Sequence, residues 1–318
     1  MPVVRRDARV MGCVAHVVVV GDGTLAAAAG RAVARLHRLE ALWSRFQDGS
    51  ETSLLTRRAG EACRVSPETV LLVGLAVEAR RRTGGLFDPT VLSAVRAAGY
   101  VDDLALLPPD ADPAALPAVP SPRRADDADV VVDPVAGTVA LARGLGFDPG
   151  GIGKGLAADL VVEQLLAEPG VAGACVDVGG DLRVRGAAPD GSAWRVGLPG
   201  GRALGVTDAG VATSSRLRRA WRVGGAPSHH LVDPELGRPA GEGVAAVTVV
   251  AAAAWEAEVL ATAACVVGAR GRGGPAAARR LLDEQGVEGL VVADDGAVLT
   301  TPGLSSAVPG PPSAVPVP

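Results

Sequence analysis

Of the 31 basic side chains in this sequence of 318 residues, only one, Lys154, is a lysine. A GC-rich coding style that favours Ala, Val, Gly, Arg and Pro explains the missing lysines, and it leaves the surviving ammonium in need of a reason. Aromatic residues are scarce too, at 3% of the chain, and belong to the same drift. The four cysteines, Cys13, Cys63, Cys175 and Cys265, lie far apart without a CxxC pair. That excludes a zinc ribbon and a disulfide framework, and leaves reduced, buried thiols as the default. The formal net charge is −4 and the arginines are interspersed with acids instead of forming a stripe, so no nucleic-acid partner is expected. No apolar run has the length and purity of a membrane span. The best candidate, "VAAVTVVAAAAWEAEVLATAACVVG", carries two glutamates, and no stable membrane insertion is expected.

The N-terminal "RRDARVMGC" offers a twin arginine and a Gly-Cys. The apolar run that follows, "CVAHVVVV", is interrupted by His16 and closed by "GDG", and "RRDAR" stands where an apolar stretch would precede a lipidated cysteine. The segment reads as a first β-strand, residues 10–20, of a cytoplasmic protein.

What is present suffices for a globular fold, with 48% hydrophobic residues. "LAAAAGRAVARLHRLEALWSRF", from Leu25, has helical spacing and ends near Asp48-Gly49. "SPETVLLVGLAVEARRRTGG" predicts a second helix, with Ser66 as N-cap, Pro67 at the first helical position and Gly84-Gly85 as its stop. Residues 106–128, rich in Pro, Asp and Ala, predict a surface insertion without a long helix or central strand. Strands follow at "DVVVD" and "TVALA", then a glycine segment leading into the helix "LAADLVVEQLLAE". Further strands are expected at "GACVDVGG", "LRVRG", "WRVGL", "AAVTVV" and "GLVVADDGAVLTT". Strand runs with interspersed helices and no β-α-β rhythm predict an α+β fold, one domain over 1–301. From Pro302 the tail is Pro and Ser rich and is expected to be disordered.

Three constellations could carry chemistry. In "FDPGGIGKGLAAD" a glycine segment with one cation opens a helix. This is not a Walker A loop, since Asp148 and Gly155 stand where that motif needs Gly and a hydroxyl. Exposed N–H groups, the helix dipole and Lys154 make an anion site; the same glycines also serve simply to turn a chain. In "EVLATA", Glu258 and Thr262 are four apart and share a helix face, presenting two hard oxygens of the kind Mg²⁺ prefers, or a solvated glutamate beside a threonine. In "SHHLVDPELGRP", Asp233 follows His230 by three residues, a spacing for a neutral histidine oriented by a carboxylate, or for a loop histidine before a turn.

Taken in order, "MGC", "LWSRFQDGSETSLL", "VSPETV", "TGGLFDPTV", "FDPGGIGKGLAAD", "DVGGDLRVRG", "GVATSS", "HHLVDPELGRPA" and the alanine-rich segment around Glu258 resemble the ApbE family of FAD:protein FMN transferases, from about Met11 to Leu299. The resemblance implies an ApbE-like fold of mixed, largely antiparallel sheets with packed helices. It also implies a Mg²⁺-dependent transferase that splits the FAD pyrophosphate, releases AMP and attaches FMN by a phosphoester to a threonine or serine of an acceptor protein. Carried over residue by residue, Met11 and Phe46 help hold the flavin nucleotide, and Leu86, Phe87 and Asp88 line the same cleft. Gly150 and Gly151, Asp181 and Leu231 contribute to cofactor binding. The Gly153 carbonyl, Glu258 and Thr262 correspond to metal ligands, Lys154 sits beside the pyrophosphate, and His230 matches the general base. This chain departs from the family at Glu258, where Asp is usual, at Gly153, where Ala is common, and at "ATSS" in place of "TSG". The same cleft could instead serve an FAD pyrophosphatase, or a non-catalytic FAD carrier if Glu258 no longer supports Mg²⁺.

Overall fold

In the computed structural model, which describes residues 1–116, 125–199, 201–304 and 308–309, strands Val3–Val10 (β1) and Cys13–Gly21 (β2) pair antiparallel as far as Val10 opposite Cys13. Met11 and Gly12 are left as a two-residue loop. Both have positive φ, +53° and +69°, as a type I′ hairpin turn requires, and Met11 is the only non-glycine with positive φ among the described residues. The expected strand over 10–20 is therefore the second half of a hairpin. β1 escapes a hydrophobicity reading because it is an edge strand whose middle, "RRDAR", faces water.

Six more strands complete one sheet: Val171–Val178 (β3), Asp181–Gly186 (β4), Ala209–Ser215 (β5), Val244–Ala251 (β6), Glu288–Ala293 (β7) and Val298–Thr300 (β8). The eight strands lie side by side in chain order, every neighbouring pair antiparallel. Helices Leu25–Trp43 (α1), Glu51–Arg57 (α2), Pro67–Arg82 (α3), Leu92–Ala97 (α4), Gly153–Leu166 (α5), Ala254–Gly268 (α6) and Gly274–Gln285 (α7) surround it. The class is α+β, as expected. The predicted cap of α3 is present, with Ser66 Oγ accepting the Thr69 N–H and Pro67 in the first turn. The short helices α2 and α4 have too few turns to show a period, and the sequence does not announce them.

Strand alternation divides the core. Ala15, Val17 and Val19 of β2 and Ala174, Val176 and Val178 of β3 face α1 and α5. Residues of the opposite parity, such as Val18, Val20 and Val184, are covered by a hairpin formed by Trp194–Leu198 and Arg202–Val206. A second helical cluster packs α6 and α7 on β5, β6 and β7. Between α5 and α6 the backbones nearly touch: a Cβ on Gly155 would lie 2.4 Å from the Ala254 carbonyl oxygen, so only glycine fits.

The insertion expected over 106–128 is more anchored than its composition suggests. Asp110–Ala111 pairs parallel with Ala220–Val223, single helical turns form at Leu104–Leu106, Pro113–Ala115 and Asp127–Asp129, and Ala125 is buried; residues 117–124 lie outside the described residues. The expected tail also changes at its start. Pro302–Leu304 form a helical turn in which Leu304 is buried and the Gly303 N–H donates to Glu288, and Val308–Pro309 pair with Arg202–Val206. Apolar burial of one leucine and the half-buried Glu288 carboxylate as acceptor hold what composition alone marks as free. The remaining tail residues lie outside the described residues.

Candidate functional site

The hairpin tip, the C-terminal end of α1, the first turn of α5, the β3–β4 turn and one face of α6 converge on a cleft of about 350 Å³. Every residue to which the resemblance gives a role lines it: Met11, Phe46, Leu86, Phe87, Asp88, Gly150, Gly151, Gly153, Lys154, Asp181, His230, Leu231, Glu258 and Thr262. α5 begins inside the glycine segment, at Gly153, so Lys154 is held on the first helical turn.

Lys154 Nζ makes an ion pair with Asp181 and lies 3.1 Å from Glu258 Oε1. Both carboxylates are 3% exposed; without a cation between them they would repel at short range in a poorly solvated pocket. Glu258 Oε2 accepts the Gly155 N–H at 2.8 Å. Asp148 accepts the Gly150 N–H at 2.9 Å and the Pro149 carbonyl accepts the Gly153 N–H. The expectation of several open glycine N–H groups is thus corrected, because these three donors already have protein acceptors, as buried amides must. What remains of the anion-site reading is the ammonium and the open backbone at Gly151. There φ is +86° and a Cβ would come within 3.2 Å of both Phe87 and Thr262 Oγ1.

His230 is not oriented by Asp233. That carboxylate accepts from Arg270 Nε at 2.7 Å and from the Glu235 N–H, closing its own turn. Instead His230 Nδ1 lies 3.3 Å from the Arg219 carbonyl oxygen. A carbonyl can only accept, so Nδ1 carries the proton and Nε2 is the basic nitrogen. Burial, with the Arg219 and Lys154 cations behind it, pushes the His230 pKa down to about 3, and the ring is neutral at physiological pH.

The ApbE family model matches residues 11–296. The chain belongs to the ApbE family. It is 32% identical over 252 residues to the FAD:protein FMN transferase of Treponema pallidum, covering 73% of this chain and 69% of that protein. A second relative of the same name, from Rhodobacter capsulatus, is 28% identical over 273 residues, covering 82% of this chain and about half (49%) of that one. Among solved structures, the ApbE protein of Thermotoga maritima superposes with a TM-score of 0.82 at 24% identity, covering 95% of this chain and 98% of that one. The apo flavinyl transferase ApbE of Pseudomonas stutzeri gives 0.79 at 23%, covering 96% and 97%. At these identities the two structures speak for the fold.

This ApbE-family cleft contains residues the sequence did not point to. Glu40 accepts the Met11 N–H at 2.6 Å and so fixes the hairpin tip. Tyr100, the only tyrosine, stands 5.6 Å from Phe46 and 5.1 Å from Trp221, and the Arg45 guanidinium lies 4.3 Å from the Phe46 and Tyr100 rings. Outside the cleft lining, Asp159 of α5 accepts the Ala254 and Trp255 N–H groups, each at 2.9 Å, and caps α6. Scarce aromatics gathering at one cleft was the available signal; the Glu40 and Asp159 contacts join segments far apart in sequence and left none.

Among the described residues no group of three or more His, Cys, Asp or Glu could hold a metal. A metal here would rest on Glu258, Thr262, a backbone carbonyl and a bound phosphate, which are hard oxygen donors suited to Mg²⁺. The place fits a cation, since Lys154 already sits against Glu258 and Asp181. Ser214 Oγ lies 3.1 Å from Thr262 Oγ1 and can orient that hydroxyl.

Proposed function

We propose that this ApbE-family protein is a Mg²⁺-dependent FAD:protein FMN transferase that attaches FMN to a threonine or serine of an acceptor protein and releases AMP. The observation that carries the reading is the convergence of Lys154, Glu258, Thr262, Asp181 and His230 on one cleft in a chain that resembles proteins of that name over most of its length. His230 Nε2 takes the proton of the acceptor hydroxyl. That oxygen bonds to the FMN-side phosphorus as the phosphoanhydride bond breaks, and AMP departs with the bond's electron pair. Lys154 balances negative charge on the phosphates as a compact point charge on a flexible stem. Bound Mg²⁺ would supply Lewis-acid stabilisation of the same phosphate oxygens, held by Glu258, Thr262 and the Gly153 carbonyl. Two phosphates beside Lys154 would also cancel part of the cationic field that depresses His230, raising its basicity once substrate is seated. Phe46, Leu86 and Phe87 give the isoalloxazine an apolar wall.

Intact-mass measurement of a flavin-acceptor domain incubated with the protein, FAD and Mg²⁺ tests this. The expected gain is FMN less one water, abolished by chelator and sharply reduced in Glu258→Ala and His230→Ala. Free FMN and AMP without a gain in acceptor mass would identify a pyrophosphatase; FAD bound and recovered intact would identify a carrier.

A further inference from the structure

Of the four cationic side chains that line the cleft, Arg45, Lys154 and Arg219 differ in how they are neutralised. Arg45 Nε has Asp148 Oδ1 at 3.6 Å and stacks on two rings. Lys154 has Asp181 and Glu258. Arg219 also lines the cleft and is half-buried, yet among the described residues it makes no ion pair with a carboxylate. Its backbone is fixed from both sides. Ser215 Oγ donates to the Ala245 carbonyl at 3.0 Å, Trp221 Nε1 donates to the Ala98 carbonyl at 2.7 Å, and the Arg219 carbonyl itself holds His230. The Arg219 charge reaches both His230 and Cys13 at the base of the hairpin tip, and the Lys154 charge reaches the same two groups. Two cations therefore act on one volume, one from α5 and one from the segment after β5. A half-buried guanidinium without a counter-charge is costly to leave empty and suited to a planar, two-point grip on a phosphate.

We infer that Arg219 is a substrate-binding residue that holds the phosphate chain of the nucleotide across from Lys154. This rests on the flavin-nucleotide reading above. Charge-assisted hydrogen bonds of this kind predict a loss on the order of tenfold or more in affinity when the guanidinium is removed. The test is titration of the wild type, Arg219→Ala and Arg219→Lys with FAD, ADP and riboflavin, which lacks phosphate, alongside thermal unfolding. Arg219→Ala is expected to bind FAD and ADP at least about tenfold more weakly and riboflavin as the wild type does, with partial recovery in Arg219→Lys. Unchanged FAD and ADP affinity in Arg219→Ala would overturn the inference alone. A parallel loss of riboflavin binding would also overturn it, by showing a structural role. A wild-type protein that binds none of the three would overturn the nucleotide reading together with it.

Discussion

Replacing Gly155 by alanine adds one methyl group at the point where α5 and α6 are closest. The new Cβ would lie 2.4 Å from the Ala254 oxygen, 2.5 Å from its carbonyl carbon and 2.7 Å from the Trp255 nitrogen. All three are backbone atoms, so no side-chain rotation relieves the contact, and the helices must separate by about 1 Å to reach ordinary van der Waals distance. Overpacking of this kind costs about 3 kcal/mol, offset by about 1 kcal/mol because alanine favours the helix over glycine. The net loss of about 2 kcal/mol corresponds to a fall in Tm of about 3 °C for a domain of this size. The same separation pulls Glu258 from the Gly155 N–H at 2.8 Å and from Lys154 at 3.1 Å, so transfer activity falls with stability. Gly30 in α1 is the control: it is exposed, and a Cβ there meets nothing within 4 Å. Gly30→Ala is expected to raise stability by about 0.5–1 kcal/mol with activity unchanged. Urea unfolding and the acceptor-mass assay on both variants decide it. A Gly155→Ala protein as stable and active as Gly30→Ala would refute the close-approach argument.

Other consequences concern titration and capping. Burial lifts the Asp159 carboxyl to about 6 against the pull of the Ala254 and Trp255 N–H groups and of Arg183. A folded pKa above the unfolded value means that the folded state holds the proton more tightly, so this group's contribution to stability falls as pH rises from about 4 to 6. Asp159→Asn should flatten that part of the stability profile in urea titrations at stepped pH, and Asp159→Ala, which strips the cap of α6, should cost about 1–2 kcal/mol at any pH. For His230 the sign is opposite. Its folded pKa lies below the unfolded one, so stability is complete above about 6.5 and is lost as pH falls toward 3. Because kcat/KM for FAD reports the free enzyme, its pH profile should show no acid limb near 6.5; a limb there would mean that His230 titrates as an ordinary histidine or is not the base.

The i,i+4 pair Glu258 and Thr262, the capped start of α3 and the motif order were legible in the sequence because each depends on local spacing, which the helix period converts directly into a shared face. The lone lysine stood out in the sequence and lines the cleft, but its partners were not foreseen. Asp181 and Glu258 reach it from a strand end and from a different helix, and the chain separation between them carries no spacing signal. Sequence proximity also misled at His230, where Asp233 is close along the chain and turned away in space, bound to Arg270. Local composition and periodicity determined the class of fold, and the order of the motifs carried the resemblance to the family and the inventory of reactive groups. Tertiary packing alone decided which carboxylate meets which cation, which glycine N–H groups are already taken, and which nitrogen of His230 is basic. Those outcomes depend on distances of a few ångströms between segments a hundred residues apart, set by how helices and sheet close on one another.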